Sequence, residues 1–297
     1  MSTKARTALV VGATGFVGRA VTRRLSPSYN LVGTHHRHPA AGTVAFDLGT
    51  DNAETLPVDW AASPAVVVTG AISRLDDCAR DPEGTARVNV TGTLRLLEFA
   101  MNHGVVPIFL SSDAVFSGEL IDQTPRPKSE TDEAEPTTEY GRQKREVEKA
   151  LPPSSSTVFR VSKLTSTHVS EGGFLIDIGH KLKARDSIQA ATDQFLNLTG
   201  VDDVARVIEF AIETDLRGLW HLAATPVRSR YDWCMELAAA MGVTDSSIQA
   251  CSLCDFDFPE IRPRDCSLQG TNLARRLPWK LVTGDHLIIG AAASLKT

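Results

Sequence analysis

The sequence predicts an α/β fold built on a doubly wound parallel sheet, and three observations carry that expectation. Short apolar, β-branched runs alternate with stretches of helical periodicity as far as Val161. Those runs are apolar throughout rather than alternating in polarity, which is the pattern of strands buried on both faces. A glycine-rich turn joins the first run to the first helical stretch. Parallel neighbours need crossover connections, and these are normally helices.

The elements follow in order. Residues 7–11 (TALVV) form the first strand and run into Gly12. Over 16–25 the apolar residues Val17, Ala20, Val21 and Leu25 recur at spacings of three and four, with Arg19, Arg23 and Arg24 mostly off that stripe, so a helix with one core-facing side follows. Strands are predicted at 30–34, 43–46 and 65–69. A helix is predicted over 83–103 and a fifth strand over 105–110, ending at Ser111 and Ser112. The stretch 117–136 collects acids with Pro125, Pro127 and Pro136 and reads as a loop. A helix over 138–151 and a strand over 157–161 complete the pattern. Beyond Lys163 it loosens into short elements at 173–183, 202–213, 219–223 and 231–241. The expected division is a cofactor-binding sheet over 1–162 and a smaller region over 163–297. The second region is partly interleaved with the sheet and caps the carboxyl edge, where ligands of open α/β sheets bind.

Composition bounds the function. The chain has 297 residues, 31 basic against 36 acidic side chains, a net charge of −5 and 42% hydrophobic residues. That is a globular profile, far from disordered or collagen-like sequences. It also lacks the basic face that nucleic-acid polymers require. The five cysteines are an odd, scattered set. Cys251 and Cys254 form one CxxC with Cys266 nearby, yet no fourth ligand completes a zinc set, so the expectation is reduced thiols and no metal. No apolar leader precedes the first strand, and the apolar tail LVTGDHLIIGAAASL is interrupted by Asp285 and His286. It is shorter than the roughly 20 residues needed to span a bilayer. A cytoplasmic protein without a membrane anchor is expected.

Two constellations carry chemistry. The first is GATGFVG, with Gly12, Gly15 and Gly18 between a strand and an amphipathic helix, the context of a Rossmann-type dinucleotide turn. Glycines there let the chain turn tightly and approach a pyrophosphate, whose charge the helix N-terminus stabilises. Gly12, Thr14, Gly15, Phe16, Val17, Gly18 and Arg19 are therefore cofactor candidates, with Gly70 and Ala71 after the fourth strand. An acidic residue normally ends the second strand of NAD-binding proteins. Here the chain reads Thr34, His35, His36, Arg37, His38, and basic groups, with Arg19, suit the 2′-phosphate of NADP. Asp47 and Leu48, at the end of the third strand, are placed to meet the adenine. The second constellation is EYGRQK, which puts Tyr140 and Lys144 four residues apart on one helix face. Lowering a tyrosine pKa from about 10 to neutrality takes on the order of 4 kcal/mol, of which a neighbouring ammonium supplies part. Ser112, beside Ser111 at the end of the fifth strand, adds a hydrogen-bond donor, and Asp113 a second acid-base group. Arg262 and Arg264 in IRPRD are candidate diphosphate ligands or surface charges.

GATGFVG, NVTGT at Asn89, SSDAVFSG and YGRQK, in this order, resemble the extended short-chain dehydrogenase/reductase family. DDCARDPEGTARVNVTGT, DQFLNLTGVDDVARVI, GLWHLAA and RPRDCSLQGTNLARRL narrow the likeness to its dTDP-4-dehydrorhamnose reductase-like group within the epimerase/dehydratase superfamily. The resemblance implies that Tyr140 is the general acid-base, Ser112 polarises a carbonyl, Lys144 holds the nicotinamide ribose, and Asn89 supports the active-site backbone or a proton path. It implies NADPH-dependent reduction of a nucleotide-linked 4-keto-6-deoxy sugar and leaves a homodimer open. The alternatives are an NAD-retaining sugar-nucleotide epimerase or dehydratase, a reductase of a non-sugar ketone, and a regulatory subunit like that of methionine adenosyltransferase. Two positions depart from the group. Ala114 stands where a tyrosine is usual, and Lys163 where an aromatic follows the sixth strand; both lie beside the substrate in the family.

Overall fold

A computed structural model describes residues 6–243 and 247–296. β1 (Thr7–Val11) is buried along its length, and α1 (Phe16–Leu25) buries Ala20, Val21 and Leu25, the stripe its spacing dictates. β2 (Asn30–His35), β3 (Thr43–Ala45) and β4 (Ala65–Val68) follow. Where one helix is predicted over 83–103, the chain forms α2 (Leu75–Arg80), α3 (Pro82–Ala86), a π-helical turn (Arg87–Gly92) and α4 (Thr93–Asn102). The break has local causes. Pro82 opens α3, a position where its missing N–H costs nothing, and the Asp81 carboxylate caps it by accepting from Gly84 N at 2.9 Å. Gly92 then lies so close to the Leu48 carbonyl that any Cβ would collide with it.

β5 (Val106–Ser112), α5 (Glu139–Ala150) and β6 (Thr157–Val161) match their predicted ranges within one or two residues. Beyond them come β7 (Lys163–Thr165), α6 (Phe174–Ala184), β8 (Ile188–Ala191), β9 (Phe195–Gly200), α7 (Val201–Thr214), β10 (Gly218–Leu222), β11 (Val227–Ser229), α8 (Arg230–Met241), β12 (Ile248–Cys251), β13 (Asp265–Cys266), α9 (Thr271–Ala274) and α10 (Gly284–Lys296).

Seven strands form one sheet in the order β10-β6-β5-β4-β1-β2-β3, a Rossmann-type arrangement. The β3-β2-β1-β4-β5 run is parallel, with Val10 opposite Gly33, Val11 opposite Val68, and Val68 opposite Phe109. This register brings the carboxyl ends of β1, β4 and β5 to one edge. The strand order reverses between β1 and β4, the switch point where such sheets bind ligands.

The chain divides into two compact units, each assembled from three stretches. The first comprises residues 1–112, 138–160 and 204–220, the second 113–137, 161–203 and 221–297. The core of the first packs Leu9, Val11, Val66, Val68, Leu97, Phe109 and Val147. The second has a small sheet, β11-β9-β13 with β7 also on β9, and a parallel β8–β12 pair. Its core centres on Trp233 with Leu175, Leu198, Leu237 and Ala291, and the buried Trp233 indole donates to the Leu196 carbonyl at 3.1 Å. Among the described residues no helix is long and apolar enough to cross a membrane, and no group of three or more His, Cys, Asp or Glu side chains could hold a metal. The five cysteines are free thiols.

Candidate active site

The turn after β1 is a cradle that only glycine can form. Gly12 has φ +80°, and a Cβ on it would lie 2.6 Å from Gly70 Cα; a Cβ on Gly18 would strike the Gly12 carbonyl. The Thr34 hydroxyl accepts from Gly12 N at 3.1 Å, and Ala13 N donates to Thr34 O at 2.8 Å, tying the turn to β2. Gly15 is the N-cap of α1 and brings no capping side chain, so the first-turn amides of a ten-residue helix are left to an outside acceptor. A dinucleotide pyrophosphate fits this cradle, and Thr14, Phe16 and Val17 lie in it. Gly70 and Ala71 follow β4 directly, beside Gly12.

At the end of β2 the basic run takes distinct positions. His35 is hydrogen-bonded through Nδ1 to the Thr43 hydroxyl at 2.7 Å, and His36 lies 3.5 Å from the Asp47 carboxylate. Arg37 is exposed and has no hydrogen-bond or ion-pair partner among the described residues. Arg19 donates to the Thr14 carbonyl at 3.0 Å. Asp47 also accepts from Gly49 N, while Leu48 is buried and its carbonyl accepts from Arg95 at 3.1 Å.

The acid-base group is assembled on α5 against β5. Thr138 caps the helix by accepting from Gly141 N, which fixes its start and hence the direction of Tyr140. Lys144, one turn on, is 5% exposed; its Nζ donates to the Leu110 carbonyl at 2.8 Å and lies 4.5 Å from the centre of the Phe109 ring and 5.6 Å from that of Tyr140. Burial pushes the Lys144 ammonium down to about 8, and the Glu148 carboxylate opposes that fall. A cation so placed favours the phenolate of Tyr140, which is half-buried. Ser112 ends β5 two residues beyond the carbonyl that Lys144 holds.

Asn89, 2% exposed, lies in the π-helical turn, a local over-winding common at functional sites. Its Oδ1 accepts from Ile72 N at 2.8 Å and its Nδ2 donates to Ile72 O at 2.9 Å, so one side chain clamps both backbone groups of the segment after β4. The same Nδ2 donates to Gln143 Oε1 at 2.7 Å, and Gln143 in turn donates to Thr85 Oγ1 and Glu139 Oε1. Gln143 is a positioning residue that the sequence reading missed. Its only local sign is its place between Tyr140 and Lys144 in EYGRQK.

A buried ion group was missed as well. Glu148, one turn past Lys144, accepts from Ser111 Oγ at 2.5 Å, from Arg160 at 2.9 and 2.7 Å, and from Arg145 at 3.1 Å. The Glu148 and Arg160 side chains are each 2% exposed. The carboxylate therefore pins the end of β5, β6 and α5 together directly beside Ser112.

The remaining candidates lie in the second unit, which the chain enters at Asp113. Asp113 and the buried Ala114 form a short 3₁₀ turn. Arg262 lies over the Phe258 ring at 4.8 Å and 3.8 Å from Glu260; Arg264 donates to Cys254 Sγ at 3.1 Å and lies 3.5 Å from Asp193. Lys163 begins β7, its ammonium 5.9 Å from the centre of the Phe174 ring. The structure places Lys144 Nζ 5.6 Å from the centre of the Tyr140 ring on α5 and ties Asn89 to Gln143 of the same helix. Arg264, by contrast, lies on an acidic partner.

Residues 6–283 match the family described as the RmlD substrate binding domain. The chain belongs to that family. Among curated relatives it is 25% identical over 280 residues to a probable low-salt glycan biosynthesis reductase, Agl14, of Haloferax volcanii, covering 91% of this chain and 92% of the other. It is 26% identical to the dTDP-4-dehydrorhamnose reductase of Sinorhizobium fredii (91% and 93% covered) and 26% to the methionine adenosyltransferase 2 subunit beta of Bos taurus (93% and 85%). In fold it is similar to the dTDP-4-dehydrorhamnose reductase of Yersinia enterocolitica, with TM-score 0.82, 20% identity and 98% and 99% of the chains covered. It is also similar to that of Bacillus anthracis in complex with NADP, with TM-score 0.81, 18% identity and 95% and 97% covered.

Proposed function

We propose that the chain is an NADPH-dependent ketoreductase acting on a nucleotide-linked 4-keto-6-deoxy sugar. The observation that carries the reductase is the buried Lys144 ammonium beneath the Tyr140 ring, in a chain whose β1–α1 turn is shaped for a pyrophosphate. The sugar nucleotide comes from family membership and from the named reductases it resembles. NADPH, rather than NADH, is supported by the exposed Arg37 and the absence of an acid at the end of β2.

The cofactor supplies a hydride to the carbonyl carbon when bound. Tyr140 donates its phenolic proton to the developing alkoxide, and Ser112 hydrogen-bonds the same oxygen. Lys144 stabilises the phenolate left behind and, fixed to Leu110 O, would hold the nicotinamide ribose. Asn89 and Gln143 hold the backbone after β4 against α5, so that the acid-base pair keeps its orientation.

Mixing the protein with NADPH and dTDP-4-keto-6-deoxyglucose tests the reading: loss of NADPH absorbance with formation of the 4-hydroxy sugar is expected. Stoichiometric NAD in the purified protein, with no consumption of added NADPH, would instead favour an epimerase or dehydratase. The likeness to a methionine adenosyltransferase subunit supports a second reading, a regulatory subunit. Tyr140→Phe separates the two: it abolishes turnover in a reductase and leaves a binding role intact.

A further inference from the structure

The side-chain amides of Asn89 and Gln143 each have two ends of similar size, an oxygen that accepts and a nitrogen that donates twice. Both residues are 2% exposed, and the groups around them decide which end goes where. Ile72 presents one N–H and one carbonyl, so Asn89 turns Oδ1 to the first, at 2.8 Å, and Nδ2 to the second, at 2.9 Å. The other Nδ2 proton meets Gln143 Oε1 at 2.7 Å, with Cys78 Sγ farther off at 3.8 Å. With its oxygen so engaged, Gln143 has both Nε2 protons left for the opposite side.

That side offers acceptors: the Glu139 carboxylate at 3.1 Å, Thr85 Oγ1 at 2.9 Å and the Pro82 carbonyl at 3.3 Å. Thr85 Oγ1 gives its own proton to the Asp81 carbonyl at 2.7 Å, so toward Gln143 it accepts. Glu139 is the charged acceptor of the set; its side chain is 20% exposed, and its other oxygen takes Arg142 Nε at 2.9 Å. Donation therefore runs one way, from Ile72 N–H through Asn89 and Gln143 to Glu139. Reversing the Gln143 amide would turn its oxygen on a carboxylate and its nitrogen on the Asn89 nitrogen, like against like at both ends.

We infer that Glu139 is a positioning residue for the reduction. As a carboxylate that can accept but not donate, it sets the Gln143 amide and, through it, the grip of Asn89 on Ile72. Ile72 directly follows Gly70 and Ala71, the cofactor candidates after β4, so a loosened grip disturbs the backbone on which the cofactor would rest. The inference rests on the ketoreductase reading and gives the residue immediately before Tyr140 an orienting task.

The deciding variant is Gln143→Glu. Ionised, it has no proton for Glu139; protonated, it donates to Glu139 through one oxygen and accepts from Asn89 with the other, as the amide does. Two carboxyl groups four residues apart on α5, one of them buried, keep a proton above the ordinary carboxylate range. The kcat of folded Gln143→Glu, taken as a ratio to wild type at each pH, is therefore expected to fall about tenfold or more between roughly pH 5.5 and pH 8, while Gln143→Leu stays low throughout. Glu139→Leu should lower kcat about tenfold, the size of one charge-assisted hydrogen bond, and Glu139→Gln, which keeps an accepting oxygen, should recover most of it. Hydrogen exchange at the Ile72 amide reads the same chain of bonds without catalysis. It should quicken about tenfold in Glu139→Leu and Gln143→Leu and stay at the wild-type rate in Glu139→Gln. A Gln143→Glu ratio that does not change with pH, or Ile72 exchange in Glu139→Leu equal to wild type, overturns the inference. So does a loss in Glu139→Leu that Glu139→Gln leaves unrecovered, because the charge rather than the acceptor would then be what matters. A wild type that never oxidises NADPH refutes the ketoreductase, and the Ile72 exchange rates then decide on Glu139 by themselves.

Discussion

Lys144 sets the pH dependence of the site, and the direction follows from its surroundings. Its ammonium is lowered from 10.5 to about 8 by burial. That corresponds to a penalty on the charged form on the order of 3 kcal/mol. Catalysis needs the cation, because it is the charged form that stabilises the Tyr140 phenolate. With a pKa near 8 the charged fraction falls from about nine-tenths at pH 7 to about one-tenth at pH 9. kcat/KM for NADPH-dependent reduction should therefore fall about tenfold over that interval, with an apparent pKa that belongs to the Tyr140–Lys144 pair. Glu148 is the group that most raises the Lys144 pKa. Glu148→Gln should therefore move the alkaline limb to lower pH by roughly half a unit or more. The assay is a kcat/KM profile from pH 6 to about pH 10 for wild type and variant, at a temperature where near-ultraviolet circular dichroism shows both folded. A flat profile through pH 9, or a limb that stays in place in folded Glu148→Gln, would refute the account.

Further expectations follow from the same contacts. Lys144→Met should abolish reduction yet raise stability at pH 7 by about 1–2 kcal/mol in denaturant titration, since the folded pKa lies below the unfolded one and the cost is relieved only as pH rises from 8 to 10.5. Its gain over wild type should shrink above pH 8. Glu148→Ala leaves the Arg160 guanidinium buried without its carboxylate and should cost about 3–5 kcal/mol, read from the same titration. Arg37→Ala should weaken NADPH binding about tenfold and leave NADH unchanged, measured by fluorescence titration. Asn89→Asp keeps the acceptor for Ile72 N but loses the Nδ2 donations to Ile72 O, Gln143 Oε1 and Cys78 Sγ; kcat should fall more than tenfold with a smaller change in NADPH affinity.

The β1–α1 turn and α5 were legible because their chemistry is local. GATGFVG has its strand and its helix on either side, and EYGRQK sets Tyr140 and Lys144 on one face by helical period alone. What was not legible depends on contacts between distant residues. Arg160 is an unremarkable arginine in a strand until it meets Glu148, and Gln143 is a polar helix residue until it meets Asn89. The π-helical turn hides within an uninterrupted helical pattern, because one extra residue in a turn leaves no mark on composition. β7, β11 and β13, of three, three and two residues, are too short to show a period.

The discontinuous build of the first unit bears on how the chain comes into being. Its sheet is not finished at β6: β10 and α7 arrive only with residues 201–222, so until then the nascent chain holds six strands with β6 unpaired on its outer side. A fragment ending at residue 162 would keep the glycine turn, Tyr140 and Lys144, yet present β6 as a bare edge for other copies to pair with. Chain truncation is thus a poor route to an isolated cofactor-binding domain, and a circular permutant that joins 204–220 to the N-terminal stretch is the fragment to express.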